Sequence, residues 1–244
     1  MNQQAFSERQ DETRRKTARK VANGKASNDL VLSASVAGNE EVFPEVLAMY
    51  VSKGATVADV TFGKGVFWRN IPEGKYDLVA TDISTGTDCR ELPYADESID
   101  CVVLDPPYMH TPGGSAHTVH TEFESYYKNN QTGNSTNSKY HEAVVELYLD
   151  AGIEALRVLK DKGVFIVKCQ DEVCSNRQRL THVELINAFE NNGFICEDLF
   201  VVVRNNKPGV SRMVKQVHAR KNHSYFLVFW KPGQAGKIWR GPVE

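Results

Sequence analysis

Short apolar runs alternate along this chain with longer segments of helical period, and that rhythm restricts the fold more than any other feature. Residues 56–60, 77–81, 99–104, 164–167, 199–203 and 225–230 read as strands. Between them, 40–52, 141–159 and 180–192 carry apolar residues three and four apart and read as helices, closed by Gly54, Gly163 and Gly193. Strands alternating with helices build a mostly parallel sheet covered on both faces. The expectation is an α/β fold whose last two strands are antiparallel.

Two segments break the rhythm. Residues 1–38 are polar and lack a sustained apolar period, so a mobile basic N-terminal arm is expected there, with a short helix around 8–22. A single domain then fills 39–244. Within it, 109–140 holds few apolar residues and a run of Asn, Gln, Thr, Gly and Ser from Asn129 to Ser138, so a flexible insert is expected. A loop this long inside a compact domain is usually functional or disordered. Its place just after the site described below favours substrate handling. Tyr126 and Tyr127 are its candidates for stacking or wedging, and local packing explains them equally well.

Charge is distributed unevenly. The net value is −2, yet residues 1–25 carry +4 and residues 201–223 carry +6, leaving −12 on the rest. The second patch consists of Arg204, Lys207, Arg212, Lys215, Arg220 and Lys221 without one acid. Two basic patches on an acidic body are an electrostatic footprint for a polyanion; two solvated surfaces would give the same pattern. Five cysteines without a C-x-x-C pair, and seven scattered histidines, predict neither a disulfide framework nor a metal site. No run of about 18 apolar residues occurs, and the N-terminus lacks the apolar centre of a signal peptide. A cytoplasmic protein with no membrane partner is expected.

The most unusual stretch is Asp105-Pro106-Pro107-Tyr108, which ends the apolar run Cys101-Val102-Val103-Leu104. Prolines fix φ and bring no N–H donor. Their carbonyls and the Asp105 carboxylate remain as acceptors, and the aromatic offers a stacking face. That set suits a planar group bearing an –NH2, such as the edge of a nucleobase. Four residues alone would also fit a strand ending at a plain Pro-Pro turn.

Other strand ends add to it. Asp59-Val60-Thr61-Phe62-Gly63-Lys64-Gly65 follows the first strand, and glycines there permit a tight turn and close approach to a ligand. Asp82 ends the second strand, 23 residues past Asp59, the spacing at which an acid holds ribose hydroxyls in nucleotide-binding α/β folds. Asp88 lies just beyond. Such acids converge on one crevice outside the carboxyl edge of the sheet. Lys168 ends another strand, where it reaches the site or snorkels to solvent.

With this ordered set the chain resembles the class I S-adenosylmethionine-dependent methyltransferases, and among them the amino methyltransferases of DNA that act on adenine N6 or cytosine N4. The resemblance covers about residues 40–230. Asp105, Pro106, Pro107 and Tyr108 match the catalytic D-P-P-Y. Asp59, Gly63 and Gly65 match the D-P-F-x-G-x-G-like segment under the methionine part of the cofactor, with Thr61 standing where the family usually has Phe. Asp82 matches the ribose-binding acid, and Asp88, with Cys89 beside it, the residue that meets the cofactor's adenine. Phe43-Pro44 resembles the short segment that closes over the cofactor.

The resemblance implies a Rossmann-like, seven-stranded sheet with an antiparallel last strand, S-adenosyl-L-methionine as cofactor, and double-stranded DNA as partner. It implies a site-specific adenine-N6 methyltransferase, with the basic residues of 204–221 holding phosphates. An RNA base-amine methyltransferase acting on guanine N2 or adenine N6, and a DNA cytosine-N4 enzyme, use the same D-P-P-Y logic. A protein-glutamine methyltransferase usually has Asn in place of Asp105. A cytosine-C5 enzyme would need a Pro-Cys nucleophile that this chain lacks. A non-catalytic nucleic-acid-binding subunit has no use for an intact D-P-P-Y.

Overall fold

Alternate residues of the central strands enter two separate cores, one on each face of a seven-stranded sheet. The structure, a computed structural model, describes residues 30–108, 127, 140–204 and 215–233. The chain divides into two units, Met1–Val31 and Leu32–Glu244, and the sheet belongs to the second. Its elements in chain order are β1 (Ala34–Val36), α1 (Asn39–Tyr50), β2 (Thr56–Asp59), β3 (Asp77–Ala80), β4 (Ile99–Leu104), α2 (His141–Val158), β5 (Leu159–Cys169), β6 (Glu172–Cys174), β7 (Arg177–Arg179), α3 (Thr181–Asn191), β8 (Ile195–Val203) and β9 (His223–Trp230).

The strand order is β1-β8-β9-β5-β4-β2-β3. Pairs β1–β8, β2–β3, β2–β4 and β4–β5 are parallel, whereas β9 is antiparallel to both β5 and β8. Val57, Cys101, Val103, Val164 and Ile166 pack with α1 on one face. Ala58, Val102, Leu104, Phe165 and Val167 pack with α2 and α3 on the other. Strands buried on both faces explain why their sequences are apolar throughout rather than alternating.

β3 lies on one side of β2 and β4 on the other, so the order reverses at β2. The crevice outside the carboxyl ends of such a switch point is where open α/β sheets bind ligands. The segments leaving β2 and β4 there are Thr61–Gly65 and Asp105–Tyr108.

The expected elements are found, with four differences. The seventh strand is β1: Ala34–Val36, expected inside the N-terminal arm, pairs with Val201–Val203 of β8. Only three residues pair, too few for a periodic signal. α2 ends at Val158, ahead of Gly163, and β5 pairs from Leu159. Gly163 instead serves a kink inside β5, where a Cβ would lie 2.9 Å from the Lys160 carbonyl oxygen. The hairpin β6–β7 is an addition; its two loop residues, Ser175 and Asn176, are both left-handed (φ 50° and 58°), as two-residue hairpin loops favour. Pro44 sits within α1, where it cannot bond the Glu40 carbonyl; Asn70 Nδ2 donates to that oxygen at 2.9 Å. Residues 1–29 of the arm, with its short helix, lie outside the described residues, like most of the insert 109–140. Among the described residues no helix is long and apolar enough to cross a membrane.

Candidate active site

The turn after β2 is built around a buried carboxylate. Asp59 is 3% exposed. Its Oδ2 accepts from Trp68 Nε1 at 2.7 Å and its Oδ1 from the Thr61 N–H at 3.2 Å. Burial pushes its carboxyl up to about 7 against those two donors. Gly63 is left-handed (φ 52°), and a Cβ there would meet only the Thr61 carbonyl oxygen, at 3.9 Å. The backbone thus leaves open space beside it. Gly65 is also left-handed (φ 62°), and a Cβ would come within 2.6 Å of the Phe62 ring. Thr61 stitches this turn to the next strand end, since its Oγ1 accepts the Asp105 N–H at 2.6 Å.

Asp82 follows β3 and faces the same turn. Its Oδ2 accepts the Gly63 N–H at 3.0 Å. Its Oδ1 caps the short helical turn Ile83–Thr85 through the Ser84 N–H at 2.9 Å and the Ser84 hydroxyl. Three donors leave one of about four acceptor positions of a carboxylate free. Asp88 differs. Arg90 engages both its oxygens, with Nη2 to Oδ2 at 2.6 Å and the main-chain N–H to Oδ1 at 2.9 Å. The guanidinium holds that carboxyl below its ordinary range despite partial burial.

Three of the side chains singled out in the sequence are buried: Phe43, Cys89 and Tyr127. Phe43 is fully buried among Phe67, Trp68 and Phe226, with ring centroids 5.0–5.7 Å away, so it supports the cleft from the core. The half-buried Pro44 follows it on α1. The Cys89 side chain is a core thiol. Tyr127, considered as a wedge, is 3% exposed and packs in the same core as Cys89, with Arg90 5.9 Å from its ring. Tyr126 lies outside the described residues.

β4 delivers Asp105 to the crevice, with Pro106 buried and Pro107 and Tyr108 half-buried. The Tyr108 hydroxyl donates to Asp105 Oδ1 at 2.5 Å. Burial pushes the Asp105 carboxyl up to about 6, opposed by the Tyr108 hydroxyl and by the positive charges of Lys168 and Arg204. Lys168, one strand over on β5, is 1% exposed. Its Nζ lies 3.8 Å from the Phe226 ring centroid and has no hydrogen-bond partner among the described residues. Burial pushes the ammonium down to about 7, opposed by Asp105.

β8 ends and β9 begins at the carboxyl edge of the sheet, so Arg204 in the connection between them, whose N–H donates to the Asn222 carbonyl oxygen at 2.8 Å, lies at the same edge as Asp105. Arg204, Lys215 and Arg220 are exposed and Lys221 is half-buried. His218 Nε2 contacts the Asn176 carbonyl oxygen at 3.0 Å, tying this connection to β6–β7. Lys207 and Arg212 lie outside the described residues.

Two side-chain clusters escaped the sequence reading. Asp171 holds His182 Nδ1 at 2.7 Å and accepts from the Tyr225 hydroxyl at 3.2 Å, and that hydroxyl meets His223 Nε2 at 2.9 Å. His141, at the start of α2, lies between Glu172 (2.7 Å) and Glu184 (2.9 Å), whose charges raise it above the ordinary imidazole range. Asp171 lies 11 residues from His182 and 54 from Tyr225, so no local spacing announces such a cluster.

A family model described as DNA methylase, of the N6/N4 methyltransferases, matches residues 99–243. The match starts at β4 and contains Asp105–Tyr108; the turn after β2 and Asp82 precede it. No curated protein matches significantly. Among solved structures, a Thermus thermophilus protein described as a DNA modification methylase, in complex with S-adenosyl-L-methionine, is 18% identical over 64% of this chain and 54% of its own (TM-score 0.37). TrmN from Thermus thermophilus is 15% identical over 81% and 51% (TM-score 0.44). A SAM-dependent methyltransferase from Methanosarcina mazei is 10% identical over 78% and 98% (TM-score 0.44). The chain spans about half the length of the two Thermus proteins.

Proposed function

Because the chain belongs to the DNA methylase family, a family of S-adenosyl-L-methionine-dependent methyltransferases, we propose that it transfers a methyl group to the exocyclic N6 amine of adenine in DNA. The observation that carries this reading is Asp105. It is a partly buried carboxylate at the carboxyl end of β4, backed by two prolines and aligned by the Tyr108 hydroxyl and by Thr61.

The turn after β2 fits the methionine end of the cofactor, because the open space beside Gly63 admits a ligand against bare backbone. Asp82 keeps one acceptor position for a ribose hydroxyl. Asp88 would have to release Arg90 to accept a further donor, so the adenine end is assigned to the main chain at Cys89, with Asp88 held behind it. When bound, the cofactor supplies an electrophilic methyl group on a sulfonium.

An aromatic amine is a poor nucleophile while its lone pair is delocalised into the ring. In this reading one N–H donates to the Asp105 carboxylate and the other to the Pro106 carbonyl, which favours the pyramidal nitrogen. Tyr108 fixes the plane of the base. With the methyl donor bound, Asp105 would take up the proton that the nitrogen sheds once it carries the methyl group. Positioning and electrostatics carry the reaction, without a covalent enzyme intermediate. A base inside a duplex cannot reach this crevice and must flip out.

The deciding experiment is mass spectrometry of nucleosides from host DNA and RNA, with the wild type or Asp105→Ala expressed. N6-methyladenine rising in DNA with the wild type alone is expected. A methylated RNA nucleoside or N4-methylcytosine would replace the substrate assignment, and no new mark in either pool would reject it.

Two further results are expected. Asp82→Ala weakens S-adenosyl-L-methionine binding at least tenfold by calorimetry, as about 1.4 kcal/mol for a charge-assisted hydrogen bond requires; unchanged affinity would reject the ribose role. Replacing Lys215, Arg220 and Lys221 with Gln lowers affinity for a DNA duplex at low salt. It also flattens the slope of log K against log salt by about 1 for each phosphate no longer neutralised, and an unaltered slope would show that this patch does not touch the duplex.

A further inference from the structure

We propose that Lys168 is a positioning residue whose ammonium keeps Asp105 ionised inside the cleft, a role that takes its meaning for turnover from the methyl-transfer reading above. Leu104 of β4 stands opposite Val167 of β5, so Asp105 and Lys168 form the next pair toward the carboxyl edge. Both continue the faces of Cys101–Val103 and Val164–Ile166, which pack under α1. The two charges therefore project to the same side of adjacent strands.

A fully buried ammonium normally has hydrogen-bond partners, and Lys168 Nζ has none among the described residues. Below it lies the Phe226 ring at 3.8 Å, itself wedged between Phe43 and Phe67. A cation over a ring face recovers part of the lost hydration. The carboxylate whose charge acts on it is Asp105.

The other groups facing Asp105 do not replace Lys168. Tyr108, Tyr148 of α2 and Cys169 are neutral acids there, all pushed up by burial. Asp59 at the end of β2, its carboxyl pushed up to about 7, is neutral at lower pH and a like charge above it, so it cannot supply a cation. Arg204, past the end of β8, is exposed, and water screens its attraction. Lys168 acts through apolar surroundings, where the same Coulomb attraction is several times stronger.

The charge state matters because only a carboxylate can accept the amine's N–H. A protonated Asp105 would direct its own hydrogen at the nitrogen and occupy the lone pair that must attack. Lys168 exchanges no bond in the reaction; it sets which form of Asp105 the amine meets.

The test follows the Asp105 carboxyl directly, by pH titration of its 13C resonance, identified through its absence in Asp105→Asn. The wild type is expected to titrate near 6. In Lys168→Met and Lys168→Gln the midpoint rises by about one pH unit, as loss of a close opposite charge requires. The acid limb of kcat moves with it, so activity at pH 6.5 falls about threefold while that at pH 8.5 hardly changes. A midpoint unmoved in both variants would overturn the role of Lys168 even in a protein that methylates DNA. A shifted midpoint in a protein without methylation would uphold the pair and reject the substrate reading instead.

Discussion

Asp105→Ala is expected to lower methyl transfer to adenine in DNA by about 10³-fold or more while S-adenosyl-L-methionine still binds. The size follows from the loss of a preorganised charge aimed at the reacting group, which costs about 10²–10³ even for a single hydrogen-bond donor. Binding persists because the cofactor contacts assigned here lie after β2 and β3, and among the described residues the Asp105 side chain bonds only Tyr108. The Asp105 N–H that bonds Thr61 Oγ1 is main chain and survives the substitution. Asp105→Asn keeps the shape and an acceptor but loses the charge, so a smaller deficit than that of Ala is expected. The wild-type rate should fall as pH drops through about 6, where the carboxyl takes up its proton; the acid limb should vanish in Asp105→Asn. Single-turnover rates and calorimetry separate these effects. Turnover within tenfold of the wild type in Asp105→Ala would remove Asp105 from the reaction.

The strands and the order of the acids were legible because burial on both faces forces apolar runs and because the chemistry sits where those runs end. Ile99–Leu104 reads as one uninterrupted core segment, and Asp105 then marks its carboxyl end. What stayed hidden depends on partners distant in sequence. Asp82 and Asp88 look alike as acids in turns, yet only the fold shows Gly63 bound to one and Arg90 closed over the other. Phe43 and Tyr127 carry side chains that suit a ligand surface, and nothing local says that three other rings or the Cys89 core will enclose them. The three-residue β1 exists only because β8 offers it an edge. Lys168 was ambiguous for a physical reason: a Lys at a strand end ordinarily snorkels, and the Phe226 ring and the aromatic packing beneath it decide that this one does not.

Keeping that ammonium buried lowers stability, which gives the second large effect. Lys168→Met is expected to raise thermal stability at pH 6.5 by about 2 kcal/mol or more, roughly 4–8 °C for a domain of this size. Met fills nearly the same volume and suits the contact with Phe226, while the unpartnered ammonium disappears. The pH dependence identifies the cause. Unfolded, Lys168 titrates near 10.5; folded, burial holds it near 7. Between those values the unfolded chain binds a proton that the folded chain does not, so wild-type stability rises with pH across that window. The advantage of Met should therefore be complete below pH 7 and shrink toward pH 10.5. It should also be smaller than burial alone would give, because the variant removes a positive charge that acts on the Asp105 carboxylate. A melting temperature lowered at pH 6.5 would mean that Nζ has a compensating partner and carries no penalty, and a gain independent of pH would mean that the buried charge is not its cause. The expected pattern would show a cleft that retains a destabilising buried cation beside its acid, which is the arrangement chemistry requires and packing opposes.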